Sequence, residues 1–190
     1  MHPVEMTEIA KQNFSKVKNK PCPSSLKFGK AGSKFDAPIA GWVKYWNDIF
    51  NPKDSLEPNL IKALIASESG FDPKLLANKK NQNSARGLTQ ITNGTRIALG
   101  DEKGELKDHF VIVTRNDLND SNVNICAGIR WLFQKRALAS GKLGRPANWE
   151  EAVAEYKGVL KDWVAGKKRA KDLMKRFDDY LKELKKCGKP

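Results

Sequence analysis

Metal-binding and nucleophile chemistry lack their usual parts in this chain. Its 190 residues hold two histidines, His2 and His109, and three cysteines, Cys22, Cys126 and Cys187, at wide spacing. No metal-ligand pattern joins them, which excludes a structural zinc site as a reading of the sequence. A serine or cysteine nucleophile finds no suitable histidine, and there is no Gly-rich phosphate loop. An odd number of cysteines far apart argues against a disulfide framework; Cys126 reads as a small core residue on a helix. No apolar run approaches the length of a membrane span. Met1 to Lys20 carries lysines but no apolar central region of the kind a secretory signal needs. With Met1 as the natural start, the expectation is synthesis in the cytoplasm and delivery by a route other than a signal peptide.

Positive charge is what the chain has in excess. Lys and Arg number 35 against 22 Asp and Glu, a net charge of +13. Such a surface attracts polyanions: nucleic acid, anionic lipid or cell-wall polymers. No nucleic-acid motif accompanies the charge, so no nucleic-acid partner is expected. A hydrophobic content of 39% with 30% charged residues fits a folded domain able to bury a core.

Apolar periodicity makes the fold class mostly α (α+β), a helical bundle with at most a small β hairpin. After a Lys/Ser/Gly/Pro-rich arm with a short helix near Val4 to Val17, a helix carries Ile39, Trp42, Val43, Trp46, Ile49 and Phe50 on one stripe. The tryptophans suit a core at that spacing, with stacking on sugar rings as the alternative. A second helix, entered through Ser55 and Pro58, brings Ile61, Leu64 and Glu68 to one face and stops at Gly70 and Pro73. Thr95 to Leu99 gives a helical turn or two, and Phe110 to Thr114 is a short β-prone run. Ser121 is expected to cap a helix with Ile125, Ile129, Leu132, Phe133 and Arg136 on its face, and Ser140 to Gly144 to form a loop. Asn148 and Glu151 resemble a capping box ahead of Trp149, Ala152, Val153 and Tyr156. The last helix, about Lys167 to Lys186, shows Leu173, Phe177, Leu181 and Leu184 at helical spacing. Between Lys161 and Pro190 stand 11 basic and 5 acidic residues; a solvated face and an anionic wall or membrane surface are the two readings.

Glu68 is the residue around which chemistry can be organised. On the apolar face of a helix it loses water, and at the helix C-terminus it meets the negative end of the dipole. Both effects raise a carboxyl's pKa, as a general acid near neutral pH requires. A partly exposed helix-end glutamate is the plainer alternative.

Four segments in order sharpen this. Glu68-Ser-Gly-Phe-Asp-Pro73, Ser84-Ala-Arg-Gly-Leu-Thr-Gln-Ile91, Asp120-Ser-Asn-Val-Asn-Ile-Cys-Ala-Gly128 and Ala154-Glu-Tyr-Lys-Gly158 resemble the soluble lytic transglycosylase domain, a relative of goose-type lysozymes in the lysozyme-like superfamily. The resemblance implies Glu68 as catalytic acid and Tyr156 as the tyrosine that hydrogen-bonds it. It implies Ser69, Ser84, Gly87, Leu88, Thr89, Gln90 and Ile91 as the substrate-binding wall, and Asn124 and Gly128 as structural. Thr89 replaces the usual methionine, Lys157 replaces asparagine, Gly158 falls one position early, and Arg86 adds a cation beside the turn.

The resemblance further implies cleavage between N-acetylmuramic acid and N-acetylglucosamine with 1,6-anhydro ring closure, without cofactor or metal. One carboxylate would act as acid and then base. A hydrolytic muramidase is the near alternative, with Asp72, Asp101, Glu102, Glu105 and Asp108 as candidate second acids; an inactive basic wall-binding module is the other. The expected organisation is an arm and aromatic helix over 1–54, a catalytic unit over 55–160 and a basic helix over 161–190. Peptidoglycan strands are the expected partner, acted on in the periplasm or wall after delivery. An injected antibacterial effector with an immunity protein, a phage endolysin released by a holin, or an accessory of secretion or phage machinery would each fit.

Overall fold

The computed structural model describes residues 1–187 and is built of helices. They are α1 (Pro3–Asn13), α2 (Ala31–Lys34), α3 (Asp36–Phe50), α4 (Pro58–Ser69), α5 (Asn93–Gly100), α6 (Ser121–Leu143), α7 (Trp149–Tyr156), α8 (Leu160–Val164) and α9 (Lys168–Lys186), with three single 3-10 turns between them. Among the described residues there is no sheet, only isolated bridges from Arg86 to Leu76 and to Ile91.

α4 is the axis. Pro58 opens it with a fixed φ suited to the first helical position, and Leu60, Ile61, Ala63, Leu64, Ile65 and Ala66 are all buried. A helix this apolar around its circumference must be enclosed. α3 packs on one side and α9 along another, while the arm from Cys22 to Phe28 crosses it. Trp42 and Trp46 of α3 are fully buried, and their indole N–H groups donate to Asn122 Oδ1 (2.7 Å) and the Cys126 carbonyl (3.1 Å). The tryptophans of the stripe are core, while Ile49 at its far end is 40% exposed.

Lys62 has no exposed surface, which a lysine tolerates only when paired. Its ammonium lies 2.9 Å from Asp36 at the start of α3 and 2.6 Å from the Cys22 carbonyl. One side chain thus ties the arm, α3 and α4 together.

Several expectations are corrected. Cys22 and Cys187 form a disulfide, with Cα atoms 5.7 Å apart across 165 positions of sequence. No spacing rule could show it, because only the folded chain brings the arm beside the end of α9. The run Phe110 to Thr114 stays extended but joins no hairpin: Val111 donates to Leu99 (2.7 Å), Ile112 donates to Met1 (3.0 Å), and Val111 and Val113 point into the core. α6 is capped by Asp120, whose side chain accepts from Val123, and not by Ser121. It runs through Ser140 to Leu143, where a loop was expected, and ends at Gly144 with φ +65°. On α9 the inward residues are Ala170, Met174, Phe177, Leu181 and Leu184, while Leu173 is 52% exposed. No helix among the described residues is long and apolar enough to cross a membrane.

Candidate active site

Glu68 occupies the last turn of α4. Gly70 (φ +57°) takes the left-handed cap and Phe71 (φ +64°) repeats that conformation, so the chain reverses at once. A non-glycine residue there is strained; burial of the Phe71 side chain, edge-on to Phe28, holds it. Phe28 itself lies over Gly70, where a Cβ would come within 3.0 Å of its ring.

The Gly87 to Ile91 turn is built around Asn124. Arg86 and Ile91 exchange backbone hydrogen bonds of 3.1 Å. Gly87 (φ +75°) is required twice over, because a Cβ would lie 2.1 Å from Asn124 Nδ2 and 2.6 Å from the Leu118 carbonyl. Asn124 is fully buried: its amide donates to the Arg86 and Leu118 carbonyls, and Oδ1 accepts from Thr89 N and Oγ1 at 2.8 Å. Gly128 lets α6 approach, since a Cβ there would sit 2.4 Å from Thr89 Oγ1.

This geometry sorts the residues expected at the substrate wall. Leu88, Thr89 and Ile91 send their side chains into the core. Ser69 Oγ donates back to the Ile65 carbonyl at 3.1 Å. Ser84 ties its own loop through Asn78. Arg86 donates to the carbonyls of Arg115 and Gln82 and is taken up by the loop. Gln90 (φ +53°) is half-buried, with its amide donating to Leu75 and Gly87. These residues shape the turn largely through backbone; among the proposed groups, Glu68, Ser84, Gln90 and Tyr156 stay partly open.

Tyr156 ends α7, whose start is pinned by the full Asn148–Glu151 capping box. Its hydroxyl donates to the Thr89 carbonyl at 2.7 Å, not to Glu68 as the resemblance implied. Burial first, and the charge of nearby Glu68 second, push its hydroxyl pKa up. The group bonded to the acid is the next residue: Lys157 Nζ donates to Glu68 Oε1. The two side chains are 12% and 18% exposed. The expected lone carboxylic acid therefore has a cation against it.

Asp178 on α9 shares the field of Lys157. It is half-buried and held above the usual carboxylate range, by burial first and by Glu150 next. Sequence reasoning missed it, because only the fold brings α9 to this end of α4. The earlier second-acid candidates go elsewhere: Asp72 and Asp101 accept from Lys74 and Lys103 in their own turns, and Glu105 accepts from Gln134 on α6. No described hydrogen bond joins Asp72, Asp101, Glu102, Glu105 or Asp108 to Glu68. A separate groove of about 810 Å³ between α1 and α3, lined by Phe14, Tyr45 and Leu56, does not include the acid. No cluster of metal-ligating side chains occurs among the described residues.

Compared with known proteins, residues 47–177 match the family described as the Transglycosylase SLT domain. A solved structure, the 70 kDa soluble lytic transglycosylase SLT70 from Escherichia coli, is similar over 95% of this chain and 26% of its own. Identity is 18% and the TM-score 0.43, so this chain spans about a quarter of that protein. No curated protein matches.

Proposed function

The chain belongs to the Transglycosylase SLT domain family, and from that premise we propose that it is a peptidoglycan lytic transglycosylase. It cuts the β-1,4 bond between N-acetylmuramic acid and N-acetylglucosamine and leaves a 1,6-anhydro ring. The observation that carries this reading is the meeting of Glu68, at the end of the buried α4, with α7: Lys157 bonds the acid while Tyr156 bonds the Gly87–Ile91 turn.

The chemistry follows from one carboxyl used twice. Protonated Glu68 gives its proton to the glycosidic oxygen as the bond to C1 breaks. The substrate's own N-acetyl group steadies the oxocarbenium-like carbon. Ionised Glu68 then takes the proton of the muramoyl 6-hydroxyl as that oxygen bonds to C1. No second carboxylate at a glycosidase separation is needed.

Intact sacculi digested with the purified protein should release anhydro-muropeptides by mass spectrometry, and Glu68→Gln should abolish their release. Reducing-end muropeptides alone would turn the reading to a hydrolytic muramidase. No cleavage by either protein would leave a wall-binding module.

Action in the periplasm or wall is part of the proposal. The Cys22–Cys187 disulfide supports it, since such bonds persist where thiols are kept oxidised. An antibacterial effector injected by a secretion apparatus and blocked at home by an immunity protein fits that chemistry, as does an endolysin. The neighbouring genes distinguish them: an adjacent immunity gene, or an adjacent holin.

A further inference from the structure

We infer that Lys157 is the positioning residue of the acid, selecting which oxygen of Glu68 transfers the proton; this rests on the reading of Glu68 as that acid. Among the described hydrogen bonds Lys157 supplies the one that Glu68 receives. It engages Oε1 and leaves Oε2 unengaged. A carboxyl held by one oxygen has its rotation about the last bond stopped, and the free oxygen carries the reacting proton. That proton leaves Oε2 for the glycosidic oxygen, whose bond to C1 breaks with both electrons going to oxygen. In the return step Oε2 takes the proton from the 6-hydroxyl while O6 bonds to C1. Between the steps Glu68 is a carboxylate facing a preorganised ammonium, which stabilises charge as it develops.

Local structure anchors Lys157. Its backbone N–H closes α7 on Val153 at 2.9 Å, and Gly158 (φ +71°) turns the chain away directly after it. Tyr156, its neighbour, is fastened to the Thr89 carbonyl. Ordering a lysine's four-carbon stem costs rotamer freedom, and at 12% exposure the side chain is largely withdrawn from water. The end of α4 also favours a cation, because helix carbonyls there carry partial negative charge. Asp178 of α9 adds a carboxylate to the field of Lys157, whose hydrogen bond goes to Glu68.

The test compares wild type, Lys157→Met, Lys157→Arg and Glu68→Gln on a soluble glycan-strand substrate, with melting temperature as the control for folding. Lys157→Met should lower kcat about 100-fold, the scale for losing one preorganised donor, with KM within about twofold. Lys157→Arg should recover part of that loss. Unchanged or raised kcat in Lys157→Met, or an effect confined to KM, overturns the inference. An active Glu68→Gln overturns the reading of Glu68 instead. A readout independent of turnover is nitrogen-15 lysine NMR. One ammonium resonance with slowed proton exchange should be present in wild type, absent in Lys157→Met and moved in Glu68→Gln. Its absence from wild type refutes the pairing whatever the activity.

Discussion

Breaking the Cys22–Cys187 bond should cost more stability than any single contact in the arm. The bond closes 165 positions of chain, and loop-closure entropy puts its effect on the unfolded ensemble at about 5 kcal/mol. Measured values usually fall below that figure, so a loss of roughly 3–4 kcal/mol is expected. The folded arm keeps its other anchors after reduction: Cys22 N donates to Asn59 Oδ1 (2.7 Å), Lys62 donates to the Cys22 carbonyl, and Ser24 donates to Glu183 (2.8 Å). Reduction should therefore leave the far-ultraviolet circular dichroism unchanged while lowering the melting temperature by roughly 10 °C, given about 2–4 °C per kcal/mol at this size. Urea denaturation of wild type with and without a phosphine reductant, beside Cys22→Ser/Cys187→Ser, measures this. The double variant should match reduced wild type and ignore the reductant. Superimposable curves for oxidised and reduced wild type would refute the argument. So would three titratable thiols in the oxidised, denatured chain, where the structure leaves only Cys126 free.

Three further outcomes test the supports of the site. Lys62→Met strands Asp36, a carboxyl held above its usual range chiefly by burial. It should cost about 3 kcal/mol in denaturant midpoint analysis, and adding Asp36→Asn should return at least about 1 kcal/mol of it. Glu151→Ala removes the capping box of α7, about 1 kcal/mol at pH 7. The Arg145 hydrogen bond holds the Glu151 carboxyl below its ordinary 4.5, so its stabilisation is full above that pH and fades as pH falls through the lowered folded value. The stability gap between wild type and Glu151→Ala should accordingly close on acidification; a gap that widens contradicts the sign. Tyr156→Phe removes the donor to Thr89 and should cost about 1 kcal/mol, with kcat kept within about tenfold. A much larger loss of kcat at unchanged melting temperature would put the hydroxyl on the acid after all.

The helical fold was legible because its signals are local. The α3 stripe, the Pro58 and Gly70 limits of α4 and the Asn148–Glu151 box each depend on residues within a turn or two of one another. Errors came where local rules compete. Ser140 and Gly141 suggest a loop, but Ser140 Oγ bonds back to the Arg136 carbonyl and receives Ala147 N, so the helix continues. Phe110 to Thr114 has strand propensity without a partner strand, and its backbone is satisfied by Leu99 and Met1 instead. Leu173 and Met174 are adjacent, and only the tilt of α9 on α4 decides which is buried.

The site was legible as positions but not as bonds. A motif ranks residues by type and order, and Gly87, Asn124 and Gly128 follow it because a Cβ or a missing amide would break the turn. It says nothing of which donor reaches Glu68, since Tyr156 and Lys157 are one residue apart at the end of the same helix. With the Tyr156 hydroxyl fastened to the Thr89 carbonyl, the Lys157 ammonium is what meets Glu68. The terminal segments act on the same point from outside. The arm lays Phe28 over Gly70, and α9 brings Tyr180 edge-on to Phe28 and Asp178 into the field of Lys157. The disulfide ties that arm to the end of α9. The parts of the chain with no catalytic motif thus enclose the end of α4, where the carboxyl proposed to transfer the proton would have to be held still.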